Sequence, residues 1–274
     1  MADLQLWHYF LLAGLGIVAG TLNVLAGGGS LLTLPVMVFL GMDGPVANGT
    51  NRVAIFAQNL AAVGGFKARG FSDFRLSLTL ALAALPGAIA GAWVGTLVRG
   101  ELFNRLLGAI LIAVLVWMAI ERHQKQKLRT ATKAASTAPE KSVGGTSEMT
   151  PELAVISRGR LVFGHLCLVA VGFYGGFIQA GVGFLLMAAL HQGMGLDLVR
   201  VNMHKVFVVG VYTLAALIVF AARGQVWWIP GLALAVGNSL GGWIGSQISV
   251  KKGEKWIRIV LYVTLVAMAL KLIL

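Results

Sequence analysis

Carboxylates are scarce in this sequence. Asp and Glu together number 10 among 274 residues, and they fall mostly in loops rather than inside the apolar stretches. That leaves no paired carboxylates for acid–base chemistry and no buried acidic residues of the kind a cation pathway uses. Cysteine is scarcer still. Cys167 stands alone within an apolar stretch, which excludes an intrachain disulfide and reads as a small packing residue. No pair of histidines has metal-ligand spacing on one helix. There is no Walker sequence, so transport by this chain would be secondary. The segment Met1–Trp7 has no basic n-region and no small-residue cleavage site, so the first apolar stretch is expected to be retained. Period-two alternation over short strands is also missing, which excludes a β-barrel. These absences predict a chain that is not an enzyme and binds no cofactor and no metal.

What remains is overwhelmingly apolar. Hydrophobic residues make up 58% and charged residues 12%, against roughly 25% charged in a soluble domain. Charge-free windows run from Leu76 to Val98, Leu106 to Ile120, Val206 to Ala222 and Gln225 to Val250. Crossing the hydrocarbon takes roughly 20 apolar residues as a helix. The prediction is an all-α polytopic membrane protein. The net charge of +12 fits basic cytoplasmic loops and needs no nucleic acid partner.

Two glycine-rich breaks organise the pattern. Gly27-Gly28-Gly29-Ser30 precedes a short stub, Leu31 to Leu40, and then the cluster Asn48-Gly49-Thr50-Asn51-Arg52. Gly181-Val182-Gly183-Phe184 precedes a stub at Leu185 to Gln192 and the cluster Asn202-Met203-His204-Lys205. A shift of 154 residues maps one onto the other. A shift of 150 maps Gly87…Gly91…Gly95 onto Gly237…Gly241…Gly245. The chain therefore reads as a duplication: repeat one over 1–120, a polar linker over 121–160 and repeat two over 161–274. Long spans are expected at Leu6–Leu25, Asn48–Phe66, Leu76–Val98, Leu106–Ile120, Leu161–Ala180, Val199–Ala222, Trp227–Val250 and Ile259–Leu274. With the two stubs this makes about ten helical segments and 8 to 10 crossings. In the first span, Gly14, Gly16 and Gly20 are expected to pack against another helix.

Basic residues set the orientation. With five segments per half the second repeat is inverted relative to the first. Placing the linker inside puts the Lys67–Arg75 and Lys251–Arg258 loops inside too, which gathers 15 of the 22 Lys and Arg on the cytoplasmic side. Inverted repeats with broken helices are a common transporter design.

The breaks suggest anion chemistry. A helix that restarts after a glycine turn presents free N–H groups and a positive dipole end. Gly28, Gly29, Ser30 and Gly183 are therefore candidate substrate-binding positions, with backbone donors expected at Ser30-Leu31 and Phe184-Leu185. Asn48, Thr50, Asn51, Asn202 and His204 add side-chain donors, and Arg52 and Lys205 add charge. Arg52 and Lys205 could instead snorkel to the interface. Gln58 and Asn59 read equally well as helix–helix hydrogen bonds. Asn23 and Gln179 either satisfy the broken backbone or touch substrate. Asp43 and Asp197 read as turn or cap residues.

The Gly-Gly-Gly break with Leu-Leu-x-x-Pro35, and Ala47-Asn48-Gly49-Thr50-Asn51 after it, resemble the sulfite exporter TauE/SafE family. The weaker second copy, the polar linker and the length resemble it as well. The second copy departs from the pattern in Gly-Val-Gly-Phe, in Ala189 where proline would repeat, and in Met203-His204 where Gly-Thr would. The resemblance implies a permease of the bacterial inner membrane for a small sulfur oxyanion such as sulfite, or an organosulfonate. The partners implied are a small anionic substrate, the lipid bilayer and protons as a coupling ion, with oligomeric state left open. An anion channel, a permease for a non-sulfur anion and an intramembrane enzyme are the alternatives.

One expectation is directly testable. In a Cys167→Ser background, single cysteines near Lys133 and Lys252 should both label only from the cytoplasmic side. Labelling at 252 from outside, with the linker still inside, would refute the ten-segment count.

Overall fold

The computed structural model describes residues 4–98, 100–113, 116 and 157–251. Expectations for the linker, for the end of the Leu106–Ile120 span and for Ile259–Leu274 lie outside the described residues.

The described chain is all-helical, as the apolar runs require. Helix α1 (Leu6–Ala26) leads into the short α2 (Ser30–Phe39). Then come α3 (Gly44–Lys67), α4 (Phe74–Leu97) and α5 over 100–113. The second half contributes α6 (Arg158–Phe177), α7 (Val182–Met187), which runs on as one π-helical turn over Ala188–Gly193, α8 (Leu198–Ala222) and α9 (Trp228–Lys251). Four of these, α1, α4, α6 and α8, are long and apolar enough to cross a membrane. Helix α3 is as long but carries a run of buried polar residues, Asn48, Thr50, Asn51, Arg52, Gln58 and Asn59, and lies inside the bundle. The outer surface is studded with exposed Leu, Ile, Val, Phe and Trp, among them Phe10, Trp93, Leu166 and Trp243. In water such a belt would be a liability; against lipid it is the normal outer face.

Helix ends follow local chemistry. Asp197 accepts from the N–H groups of Val199 and Arg200 and starts α8. Asp43 takes the equivalent position before α3, with Pro45 in the first turn, but its side chain makes no cap bond. Helix α3 therefore begins at the turn itself, earlier than Asn48. Helix α6 begins at Arg158, so Arg158 and Arg160, expected in the linker, lie in its first turn.

Packing is dominated by close helix pairs built on glycine. Helix α9 lies along α1: a Cβ on Gly237 would meet Ala13 O at 1.8 Å, and one on Gly241 would meet Ile17 O at 2.2 Å. Helix α4 lies along α6 in the same way, with Gly87 against Val169 O at 2.1 Å and Gly91 against Phe173 O at 1.9 Å. The two glycine ladders that match in sequence are thus the two tightest seams. Each joins a helix of one half to the first helix of the other half. Small residues let backbones approach where lipid offers no hydrophobic drive for association.

The pairs have a consistent sense. Gly16 and Gly20 of α1 meet Leu234 and Asn238, and Val24 meets Gly245, so α1 and α9 run parallel. Gly172 meets Ala84 and Gly176 meets Ala88, so α4 and α6 run parallel too. Helices α3 and α8 cross the centre side by side but antiparallel, with Gly49 against Phe220 and Gly210 against Asn59. Swapping α1, α3 and α4 for α6, α8 and α9 leaves this contact scheme unchanged.

Gly14 departs from expectation: it faces open space, while Gly16 would place a Cβ 2.6 Å from Leu234 O. Gly16→Ala should therefore lower the midpoint of thermal unfolding in detergent, at a cost of about 1–3 kcal/mol for overpacking. Gly14→Ala should leave it unchanged or raise it. Equal effects of the two substitutions would refute the α1–α9 seam.

Candidate functional site

The first break is a reversal. Gly27 ends α1 in the left-handed conformation at φ 81°, its N–H donating to Leu22 O at 3.2 Å and Asn23 O at 2.9 Å, a glycine C-cap. The chain then folds back, and a Cβ on Gly29 would lie 2.3 Å from Ala19 O. Helix α2, at 10 residues, is about 15 Å long, too short to cross. The second break holds Gln179 at φ 62° and Gly181 at φ 70°. A non-glycine residue in that region is strained. It is held by Tyr174, whose hydroxyl donates to Ala180 O at 2.5 Å. The two breaks meet: a Cβ on Gly27 would lie 2.3 Å from Gly183 Cα.

The restarting helices use their own N–H groups. Leu31 donates to Gly28 O at 3.1 Å, Leu32 to Gly29 O at 3.0 Å and Phe184 to Gly181 O at 3.0 Å. Tight three-residue turns close both restarts, so the donors expected at Leu31 and Phe184 are already engaged. Ser30 opens α2 and is buried. Side chains from α3 and α8 bring further polar groups to the broken helices.

Arg52 and Lys205 do not snorkel. They are 0% and 2% exposed, and each crosses to the other half to satisfy the end of its broken helix. Arg52 on α3 donates through Nη1 to Gly175 O at 3.2 Å and to Gln179 Oε1 at 3.3 Å, and through Nη2 to Gly176 O and to Asn48 Oδ1 at 3.4 Å. Its guanidinium also stacks 4.8 Å from the Phe220 ring centre, a cation–π contact. Asn48 Nδ2 donates to Phe177 O at 2.7 Å. Lys205 on α8 donates to Val24 O at 2.7 Å and to Asn202 Oδ1 at 2.7 Å. A cation at the carbonyl end of a helix is favoured by both the dipole and the unpaired carbonyls.

The remaining candidates separate. Thr50 Oγ1 accepts from Trp227 N–H at 2.8 Å just before α9. Asn51 Oδ1 accepts from Thr33 at 2.8 Å and ties α2 to α3. His204 Nδ1 lies 2.8 Å from Ser77 Oγ on α4, beside a shallow crevice lined by Phe66, Asp73, Ser77, Met203 and Phe207. Asn202 Nδ2 donates to Ser249 Oγ at 2.9 Å on α9. Gln58 Oε1 accepts from Asn23 at 3.2 Å and Asn238 at 3.4 Å, which supports the helix–helix reading. Asn59 donates to Ile55 O within its own helix at 2.7 Å.

Around the breaks, several buried donors have no partner among the described residues: Asn51 Nδ2, Arg52 Nε, Gln58 Nε2 and the Tyr212 hydroxyl. Tyr212 did not stand out in sequence as a site residue. Its signal is being, with Thr213, a polar position in the apolar run after Lys205, at a shift of 154 from Gln58. Among the described residues no group of three His, Cys, Asp or Glu is placed to hold a metal.

Lys205→Met should destabilise the folded protein by about 1–3 kcal/mol, because it strands the Val24 carbonyl in an apolar core. Thermal unfolding in detergent reads this out. An unchanged midpoint would refute the capping role.

The sequence has relatives among known proteins. The family model described as "Sulfite exporter TauE/SafE" matches residues 12–272. The "Probable membrane transporter protein ORF9" of Sinorhizobium sp is 26% identical over 273 residues, covering 100% of this chain and 95% of that protein. The "Probable membrane transporter protein YfcA" of Escherichia coli K12 is 25% identical over 264 residues, covering 94% and 86% respectively. The "Probable membrane transporter protein YunE" of Bacillus subtilis is 24% identical over 274 residues, covering 97% of each. No solved structure matches. A match spanning both breaks and both glycine ladders places this chain in the sulfite exporter TauE/SafE family of membrane transporters.

Proposed function

We propose that this protein is a secondary transporter that moves a small sulfur-containing oxyanion, such as sulfite or an organosulfonate, across the bacterial inner membrane. The observation that carries this reading is the content of the core. Two broken helices meet there, the nearby side chains leave N–H and O–H groups unpartnered, and the buried charged residues described are Arg52 and Lys205 with no Asp or Glu. Such an interior favours an anion and disfavours a cation. The close Gly27–Gly183 contact favours a carrier, which closes between the breaks, over an open channel.

Inverted repeats suit the same reading. A pseudo-axis along the membrane normal would set α3 parallel to α8; an axis in the membrane plane sets them antiparallel, in line with the Gly49–Phe220 and Gly210–Asn59 contacts. Arg69 Nε donates to Gln247 Oε1 at 2.6 Å, which brings the ends of α3 and α9 together. The starts of α4 and α6 share that end because α4 and α6 run parallel. Lys67, Arg69, Arg75, Arg158 and Arg160 then gather on one side, the cytoplasmic side by charge.

Flux in proteoliposomes tests the function, with sulfite, sulfate, thiosulfate, sulfoacetate and acetate as substrates. Sulfur oxyanions should move and acetate should not. Asn51→Ala should raise the substrate concentration for half-maximal flux by about 1–3 kcal/mol equivalent, the cost of a lost buried donor. Absence of oxyanion flux from folded wild-type protein would refute the proposal.

A further inference from the structure

Among the buried polar groups, those at the second break stand apart. The Arg52 guanidinium has its two terminal nitrogens fixed on Gly175, Gly176, Gln179 and Asn48. Its Nε has no partner among the described residues, although the side chain is 0% exposed. Tyr212, also 0% exposed, approaches the same turn: its hydroxyl lies 2.8 Å from where a Cβ of Gly175 would be. Its oxygen faces the Gln179 side chain as an acceptor would, and its O–H has no acceptor among the described residues. Gln179 itself is spoken for. Its Oε1 accepts from Arg52 and its Nε2 reaches Thr213 Oγ1 at 3.5 Å.

A cation and a hydroxyl, both buried and each with one N–H or O–H to give, is a costly arrangement for a purely structural cluster. A structural arginine at a helix end can turn every donor toward carbonyls, and a structural tyrosine is readily replaced by phenylalanine. Buried donors without acceptors are rare in native proteins and mark functional positions. Arginine also suits an oxyanion because its planar fork holds its geometry while one edge is occupied. Here the terminal edge is occupied by the helix end, and the Nε edge remains.

We propose that Arg52 and Tyr212 form the oxyanion-binding station at the second break, where Arg52 Nε–H and the Tyr212 hydroxyl donate to two oxygens of one small sulfur oxyanion. This rests on the transporter reading above and deepens it by naming the residues that select the substrate. Because the helix end already holds Arg52 in place, the station is pre-organised, and binding costs little reordering. Two unengaged donors also suit a polyoxygenated head group.

Tyr212→Phe tests this with the least disturbance, since it removes one oxygen from a packed ring. In reconstituted full-length protein, sulfite flux should need about tenfold more substrate for half-maximal rate, as expected for losing a hydrogen bond to a charged group. Maximal flux and the thermal midpoint should stay close to wild type. Arg52→Lys should fail to restore wild-type affinity, because an ammonium has no Nε donor placed beside a fixed terminal edge. Sulfite should raise the thermal midpoint of wild type and do so less in Tyr212→Phe. Unchanged half-saturation and unchanged sulfite stabilisation in Tyr212→Phe, with wild type transporting sulfite normally, would overturn the station while leaving the transporter intact. Loss confined to maximal flux would also overturn it, because that pattern marks a structural role. Absence of sulfite flux in wild type would instead fall on the transporter reading.

Discussion

A helix that stops inside an apolar core leaves carbonyl groups that water cannot reach. Each uncompensated group costs several kcal/mol in a hydrocarbon setting. This protein stops two helices, α1 and α6, inside its bundle. The solution is reciprocal. Arg52 from the first half closes the end of α6, and Lys205 from the second half closes the end of α1. Asn48 and Asn202, 154 positions apart, accept from the two cations. Each break makes turn bonds of its own but takes its cation from across the linker.

That reciprocity runs through the whole bundle. The glycine ladder of α4 packs on α6 and that of α9 packs on α1, so the tightest seams also join the halves. Close backbone approach makes these seams intolerant of added volume, and α3 and α8 also pack against each other, antiparallel, at the centre. A transporter needs rigid bodies that can shift against each other around a central site. Rigid seams and a polar centre between α3 and α8 are compatible with that requirement.

The centre also explains the composition. Among the described residues no carboxylate is buried, so none would compete with an anion of the kind proposed for Arg52. Using helix ends rather than acidic side chains as partners for Arg52 leaves the interior electropositive. Donors such as Asn51 Nδ2 and Arg52 Nε can then serve a ligand without being neutralised by a fixed anion.

Much of this was legible in the sequence. Apolar run length forced an all-helical membrane protein, because only helices satisfy their backbone within a span. The paired glycine breaks, the matched ladders and the polar clusters fixed where helices stop, where they pack closely and where polar atoms lie, since these properties are local. Partners were not legible. Nothing in the order of residues says that Arg52 reaches Gly175 and Gly176, that His204 turns toward Ser77, or that Thr50 meets the start of α9. Gly14 and Gly16 look alike in sequence and differ only by which face of α1 meets α9. Tyr212 is, with Thr213, a polar residue in an apolar run until the fold sets its hydroxyl against Gly175. Sequence determines which groups need satisfaction; only the tertiary packing decides which partner, often more than a hundred positions away, provides it.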